Sequence, residues 1–272
     1  MDTITIDKLK LFAYHGCDTI ENLRGQDFFV SVIILANLDK VGITDDLQDS
    51  VDYSKICHII KDVFCAKNYK TLEKCATVLM KSLFDYSNLI EMMTITIDKP
   101  NAPIGLDFQS VSVTLTKKKV IAYLGLGSNL GDKQYNLNSA IKHIKKYAKV
   151  MDTATYITTK PWGVIEGQPD YLNTAIKIQT TLSPIELLYA IKKIENLMGR
   201  QQTTKWASRL IDIDILLYDD QKYYSDNLII PHPYLHIRDF VLNPLNQLAP
   251  HLIPPNQTIS IQELYNQLQN SK

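Results

Sequence analysis

Apolar and polar residues alternate over residues 3–12, and residues 28–38 (FFVSVIILANL) are dense in β-branched and aromatic side chains; both stretches predict β-strands. Over residues 54–66 the apolar positions Ile56, Ile59, Ile60, Val63 and Phe64 recur on one helical stripe. Leu72, Cys75, Ala76, Leu79 and Leu83 do the same over residues 71–86. Alternation returns over 92–98 and 111–116, with the turn KPNAPIG between them. The first part of the chain therefore reads strand, strand, helix, helix, strand, strand. Lys117-Lys118-Lys119 follows and reads as a solvated connection between domains. Beyond it a strand over 120–126, a helix over 132–147 and strands over 150–159 and 172–180 are predicted. A helix then starts at Ser183, where Ser183 caps, Pro184 takes the first helical position and Glu186 closes the capping box. A strand over 211–218 completes a β-α-β-β-α-β order, a ferredoxin-like α+β pattern. The fold class expected is α+β throughout, with domains over 1–117 and 120–272.

Composition adds little to this picture and removes some alternatives. The 272 residues suit two domains, and 45% hydrophobic with 21% charged residues is ordinary for a globular protein. The formal net charge is zero, so the overall balance gives no reason to expect a nucleic acid or an anionic membrane surface as partner. Cys17, Cys57, Cys65 and Cys75 form no C-x-x-C pair and read as reduced thiols of a cytoplasmic protein. The first ten residues lack the pattern of a secretory signal, and no run of about 18 apolar residues predicts a membrane span.

The sharpest chemical feature is Arg209-Leu210-Ile211-Asp212-Ile213-Asp214-Ile215. On a strand, Asp212 and Asp214 project to one face about 7 Å apart, while the three isoleucines take the other. Paired carboxylates repel each other unless a cation bridges them, and hard oxygen ligands suit Mg²⁺ carrying nucleotide phosphates. Read alone, the pair is either such a site or a solvated acidic strand face. Arg200, Lys205, Trp206 and Arg209 before it, with His232 and Arg238 after it, are either salt-bridge partners or a clamp for a triphosphate. The stretch Gly125-Leu126-Gly127-Ser128-Asn129-Leu130-Gly131 fails the dinucleotide-binding fingerprint, because Leu130 stands where the third glycine belongs. It reads as a tight turn into a capped helix. A ferredoxin-like RNA-binding module would need a neutral or basic face where Asp212 and Asp214 stand.

Several motifs of residues 120–255 carry a resemblance: AYLGLGSNLGD, PWG, QPDYLN, GR, WASRLIDIDILLY and IPHP. Together they resemble 6-hydroxymethyl-7,8-dihydropterin pyrophosphokinase. The resemblance implies ATP as co-substrate and two Mg²⁺ ions on Asp212 and Asp214. It also implies a closing loop with Arg200, Trp206 and Arg209, and ATP contacts from His232 and Arg238 with Glu195 near the nucleotide. A pterin slot would be formed by Thr159, Trp162, Tyr171, Asn173 and Phe240. Aromatic rings that sandwich a flat bicycle and an amide that pairs with its edge suit a pterin. Trp206 otherwise reads as packing, and Tyr171 and Phe240 as ordinary core. The family loop carries a second arginine where this chain has Gln202.

In the first half Glu21, Tyr53, Glu73 and Lys99 stand out. Bland readings are available: Glu73 complementing a helix dipole, Lys99 solvated at a strand end, Tyr53 packing at a helix entry. The stretches YHG, ENLRGQ, DSVDY, LEK and ITIDKPNAP resemble dihydroneopterin aldolase. That resemblance implies the tunnelling fold, with sites between neighbouring subunits of a homo-oligomeric ring, tetramer or octamer. It assigns pterin binding to Glu73 and the Leu72 backbone, general acid/base work to Lys99, proton transfer to Tyr53, and a place in or beside the pocket to Glu21. No metal is implied there. The first half holds only His15 and His58, no Zn²⁺ ligand cluster, and His15 reads as structural. The two resemblances together imply a bifunctional enzyme of folate biosynthesis, a lyase joined to a transferase, acting on small pterins and ATP. The alternative keeps the pyrophosphokinase and makes the first half an oligomerisation scaffold.

Overall fold

In a computed structural model the chain is described over residues 1–161, 167–199 and 208–271. It divides into two compact units, Met1–Lys119 and Val120–Lys272.

In the first unit, β1 (Asp2–Ala13) leads through a short α1 (Thr19–Arg24) into β2 (Gln26–Ala36), and α2 (Asp39–Thr44) precedes the long α3 (Tyr53–Cys65) and α4 (Leu72–Tyr86). β3 (Ile90–Lys99) and β4 (Val111–Lys118) complete a four-stranded antiparallel sheet in the order β1-β2-β3-β4. Alternate residues Phe28, Val30, Val32 and Ile34 of β2 with Met93, Ile95 and Ile97 of β3 form the face that packs into the core. Ile56, Ile60 and Phe64 of α3 and Leu79 and Leu83 of α4 belong to the same core. These are the stripes the periodicity predicts, and each large side chain so buried contributes about 1.5–3 kcal/mol. Asp52 caps α3 by accepting the N–H groups of Ser54 and Lys55, and Thr71 caps α4. On the other sheet face Thr94 meets Thr116 and Thr96 meets Thr114 at 2.9 Å, hydroxyl to hydroxyl.

The lysine run is not the solvated connection expected from sequence. Lys117 and Lys118 are the last residues of β4, paired with Met93 and Met92. Lys119 alone intervenes before the next strand, with its N–H on the Glu91 carbonyl and its Nζ on the Asn88 carbonyl at 2.8 Å.

The second unit runs β5 (Val120–Ser128), α5 (Lys133–Ile144), β6 (Lys149–Thr153), β7 (Ile157–Thr159), β8 (Tyr171–Thr180), α6 (Pro184–Leu197) and β9 (Asp212–Tyr218). Its sheet order is β6-β8-β5-β9 with β7 also on β8, the antiparallel arrangement of a ferredoxin-like unit. The single strand expected over 150–159 is interrupted where the Thr155 N–H and hydroxyl both turn to the Gln247 side chain. Ser183 and Glu186 form the capping box that opens α6. Ala122, Leu124 and Leu126 of β5 pack with α5 and α6 on one side of the sheet.

The chain continues through the hairpin β10 (Tyr223–Ser225) and β11 (Leu228–Ile230) to α7 (Asp239–Leu248) and α8 (Ile261–Asn270). The last two helices cover the opposite sheet face through Leu242, Leu245, Ile261 and Leu264. The unit is therefore a three-layer sandwich, one layer more than the βαββαβ pattern implies. No helix of the described residues is long and apolar enough to cross a membrane.

Candidate functional site

The central strand β5 carries glycine on the face where its neighbours carry chemistry. Gly127 lies between Asn173 of β8 and Asp212 of β9, and Gly125 lies between Ala175 and Asp214. A Cβ on Gly127 would stand 2.8 Å from Asn173 Oδ1, and one on Gly125 would stand 3.2 Å from Leu216. The glycines thus keep the floor low between the two flanking strands. This corrects the sequence expectation of a tight turn, because β5 runs on through Ser128 and only Gly131, at φ 58°, turns the chain toward α5. Ile211, Ile213 and Ile215 are buried in the core with α5 and α6, so Asp212 and Asp214 face away from it.

Above this floor lies a cavity of about 280 Å³. Of the residues singled out by sequence, Thr159, Tyr171, Asn173, Arg209, Asp212, Asp214, His232, Arg238 and Phe240 line it. Gly125, Gly127, Gln168 and Tyr234 also line it, without a binding role assigned from sequence. For the glycines the signal was their alternation along a strand; for Gln168 and Tyr234 no spacing pointed there. Glu195 does not line the cavity: it is buried on α6, accepts the Ile213 N–H at 2.9 Å and the Lys192 ammonium at 2.9 Å, and from there its charge acts on Asp214. Trp162, Arg200 and Trp206, with Gln202 and Lys205, lie outside the described residues.

The electrostatics of the cavity are strained in a way that fits a cation. Burial, and after it the charge of Asp212, pushes the Asp214 carboxyl up to about 7. Arg209 meets Asp212 at 3.0 Å. Among the described residues no group of three or more His, Cys, Asp or Glu side chains gathers at one point. A hard ion that keeps its waters and takes phosphate oxygens needs no more than one or two carboxylates, and this donor set fits it. Burial, with Arg238 next, lowers His232 to about 4, so its ring is neutral at physiological pH. Its Nδ1 accepts the Tyr234 N–H at 3.3 Å, which leaves the ring proton on Nε2 as a donor. The Arg238 guanidinium stacks on Tyr234 at 4.4 Å and lies 5.6 Å from the Phe240 ring. Asn173 Nδ2 donates to Thr159 Oγ1 at 2.8 Å, which orients the amide.

In the first unit, Lys99 and Glu21 form a buried ion pair, their side chains 10% and 8% exposed. Lys99 Nζ also reaches the His15 carbonyl at 3.4 Å. Glu21 sits in α1, a helix absent from the sequence reading although Asp18 and Glu21 spell its capping box. A Cβ on Gly16 would fall 2.1 Å from Glu21 Oε2, so glycine is needed for the carboxylate to come in. His15 is structural, as its bland reading has it. Its Nδ1 accepts the Tyr69 N–H at 3.1 Å, its ring packs on Phe28 and Phe64, and burial lowers it to about 4. Tyr53 is 65% exposed at the start of α3, Glu73 is exposed in the first turn of α4, and Leu72 beside it is buried. The structure thus joins Lys99 to Glu21 and leaves Tyr53 and Glu73 on the surface.

Comparison with known proteins divides the chain in the same two. Residues 4–116 match the family described as dihydroneopterin aldolase, and residues 123–250 match 7,8-dihydro-6-hydroxymethylpterin-pyrophosphokinase. The Folic acid synthesis protein FOL1 of Dictyostelium discoideum is 33% identical over 99% of this chain, which spans 45% of that relative's length. The 2-amino-4-hydroxy-6-hydroxymethyldihydropteridine pyrophosphokinase of Haemophilus influenzae is 39% identical over 56% of this chain and 96% of its own. Its counterpart from Aquifex aeolicus is 43% identical over 49% of this chain and 82% of its own. The chain therefore belongs to the 7,8-dihydro-6-hydroxymethylpterin-pyrophosphokinase family through residues 123–250, and these follow a segment, residues 4–116, that matches the dihydroneopterin aldolase family.

Proposed function

We propose that the chain catalyses two consecutive steps of folate synthesis, its domain over 1–117 as an aldolase and its domain over 120–272 as a pyrophosphokinase. The aldolase step is a retro-aldol cleavage of 7,8-dihydroneopterin. The hydroxyl on the departing carbon loses its proton, the C–C bond within the side chain breaks, its electron pair passes to the C=N bond of the dihydropterin, glycolaldehyde leaves, and a proton added to the remaining side-chain carbon restores the C=N bond. The product, 6-hydroxymethyl-7,8-dihydropterin, is the acceptor of the second step. There the hydroxymethyl oxygen bonds to the β-phosphorus of ATP, the bond to the bridging oxygen breaks, and AMP departs. One observation carries the second half of this reading: the carboxylate pair Asp212/Asp214 and the wall of Tyr171, Asn173 and Phe240 line one cavity.

Within that cavity Tyr171 and Phe240, with Trp162, would sandwich the pterin ring, and Asn173 and Thr159 would pair with its polar edge. Asp212 and Asp214 would hold Mg²⁺, which when bound neutralises charge on the transferred phosphates. The neutral His232 donates from Nε2, and Arg238, backed by two aromatic faces, offers its guanidinium to phosphate. Arg209 is poised to exchange Asp212 for a phosphate, and Arg200 and Trp206 would act with it on ATP, with Glu195 near the nucleotide. In the first unit Glu73 would receive the amino-pyrimidinone edge beside the Leu72 backbone. Lys99 would move the proton, with Glu21 holding its charge and Tyr53 assisting. The exposure of Tyr53 and Glu73 supports a site completed by a second copy of the chain in a ring-shaped homo-oligomer.

Assays of the purified chain test each half: AMP released from ATP plus hydroxymethyl-dihydropterin, and glycolaldehyde released from dihydroneopterin. Absence of either product removes that half of the reading. A finer test is Gly127→Ala, whose Cβ would fall 2.8 Å from Asn173 Oδ1. The KM for the pterin should rise roughly tenfold or more as the amide is displaced, with the KM for ATP little changed. An unaltered pterin KM would argue that Asn173 does not read the ring.

A further inference from the structure

Asn129 lies just past β5 and is 1% exposed. Its Oδ1 accepts the backbone N–H of Arg209 at 2.7 Å, and its own backbone N–H donates to the Arg209 carbonyl at 3.2 Å. Its Nδ2 donates to Ser208 Oγ at 3.1 Å and, at a longer 3.5 Å, to the Pro169 carbonyl. Only the amide oxygen can accept a backbone N–H, so the bond from Arg209 fixes which way the amide points.

The loop that presents Asn129 is itself held. Asn136 of α5 donates from Nδ2 to Ser128 Oγ at 3.1 Å and to the Leu130 carbonyl at 2.9 Å. Leu210, next after Arg209, rests against two glycines: a Cβ on Gly199 would stand 3.7 Å from its Cδ1, and one on Gly131 would stand 4.0 Å from its Cδ2. The Ser-Asn-Leu-Gly stretch is thus a socket for residues 208–210. From that socket the Arg209 guanidinium reaches Asp212 at 3.0 Å at the cavity. The tie to Pro169 leads two residues on to Tyr171, on the other side of the same cavity.

We infer that Asn129 is a positioning residue for phosphoryl transfer: it holds the Ser208 hydroxyl and the Arg209 backbone so that the Arg209 guanidinium is aimed at Asp212. The inference rests on the pyrophosphokinase reading and adds to it a residue that touches no substrate. A buried amide that spends both of its polar atoms on one neighbouring segment sets the position of that segment, and small displacements of a reacting-site cation are costly to rate.

The test is a double-mutant cycle of Asn129→Ala and Arg209→Ala in the full chain, read as kcat for AMP formation, as the equilibrium dissociation constant of the hydroxymethyl-dihydropterin, and as melting midpoint. Asn129→Ala should lower kcat by about 10- to 100-fold while the dissociation constant for the pterin stays within about twofold. In the Arg209→Ala background the same change should cost less than about twofold, because residues acting through one another are non-additive. Asn129→Asp keeps the oxygen that accepts the Arg209 N–H, so it should lose less than the alanine variant, and it carries the same cycle where the alanine variant does not fold. Additive losses would overturn the inference, as would a pterin affinity that falls in step with kcat or an aspartate variant no better than alanine. A parent chain that makes no AMP removes the pyrophosphokinase reading and this inference together, whereas additive losses remove the inference alone.

Discussion

Asparagine at Asp212 or at Asp214 is expected to lower the kcat for AMP formation by about 10²- to 10³-fold, the scale of removing one charge-stabilising group from a phosphoryl- or acyl-transfer site. Glycolaldehyde formation should be unchanged in the same preparations. The two carboxylates face one cavity from alternate positions of β9, and among the described residues no group of three or more acidic, cysteine or histidine side chains gathers to share a cation. Each therefore supplies a large part of whatever holds the cation. The substitution should not act by unfolding the protein. Asp214 is raised to about 7 in the fold by burial and by Asp212, above the ordinary value of 3.8. The folded state thus binds a proton that the unfolded state has released, and stability falls as pH rises between about 4 and 7. Without metal, Asp214→Asn removes that loss. It should melt above the parent at pH 8, with the difference closing as the pH approaches 4. Adding Mg²⁺ should raise the melting midpoint of the parent and not of the variant, since only ligands that bind the folded state stabilise it. An Asp214→Asn protein that keeps the parental kcat, or melts below it at pH 8, would contradict the assignment.

Replacing Lys99 is expected to have two effects that a second substitution separates. Lys99→Met should lower glycolaldehyde formation by about 10²- to 10⁴-fold, the range for a lost general acid/base. It should also destabilise the first unit by roughly 3–5 kcal/mol, because Glu21 is then a buried carboxylate without its cation. The double change Lys99→Met with Glu21→Gln removes both charges, so the melting midpoint should recover while the activity does not. AMP formation serves as the internal control. If the double variant is stable and still cleaves dihydroneopterin at the parental rate, the lysine has no part in the chemistry. If the parent chain itself releases no glycolaldehyde, the first unit acts as an oligomerisation scaffold.

Much of the architecture is local and was legible for that reason. The stripes of α3 and α4 and the alternation of β1, β2 and β3 are repeats of helical or strand period, and burial of one face follows from them. The start of α6 was legible because its capping box lies within four consecutive residues. The same capping box stands at Asp18–Glu21 and Ser260–Glu263, where it opens α1 and α8. Glycine between a strand and a helix has two meanings, a turn or a strand floor, and in β5 it takes the second. Local sequence does not separate them; the pairing of Gly127 with both Asn173 and Asp212 does.

The site divides along the same line. The sequence by itself determined that Asp212 and Asp214 share a face, since side chains of a strand alternate whatever surrounds them. It also supplied nine of the nineteen residues that line the cavity. Only the tertiary structure decided that the pair faces the wall of Tyr171, Asn173 and Phe240 across two glycines, that Lys99 is buried against Glu21, and that Glu195 turns to the Ile213 backbone. It alone put Asn129 under Arg209. The physical reason is range. Period and capping act over a few residues, whereas burial, ion pairing and the proton affinity of a carboxyl depend on which distant segments exclude water from it, and those segments meet only when the sheet has formed.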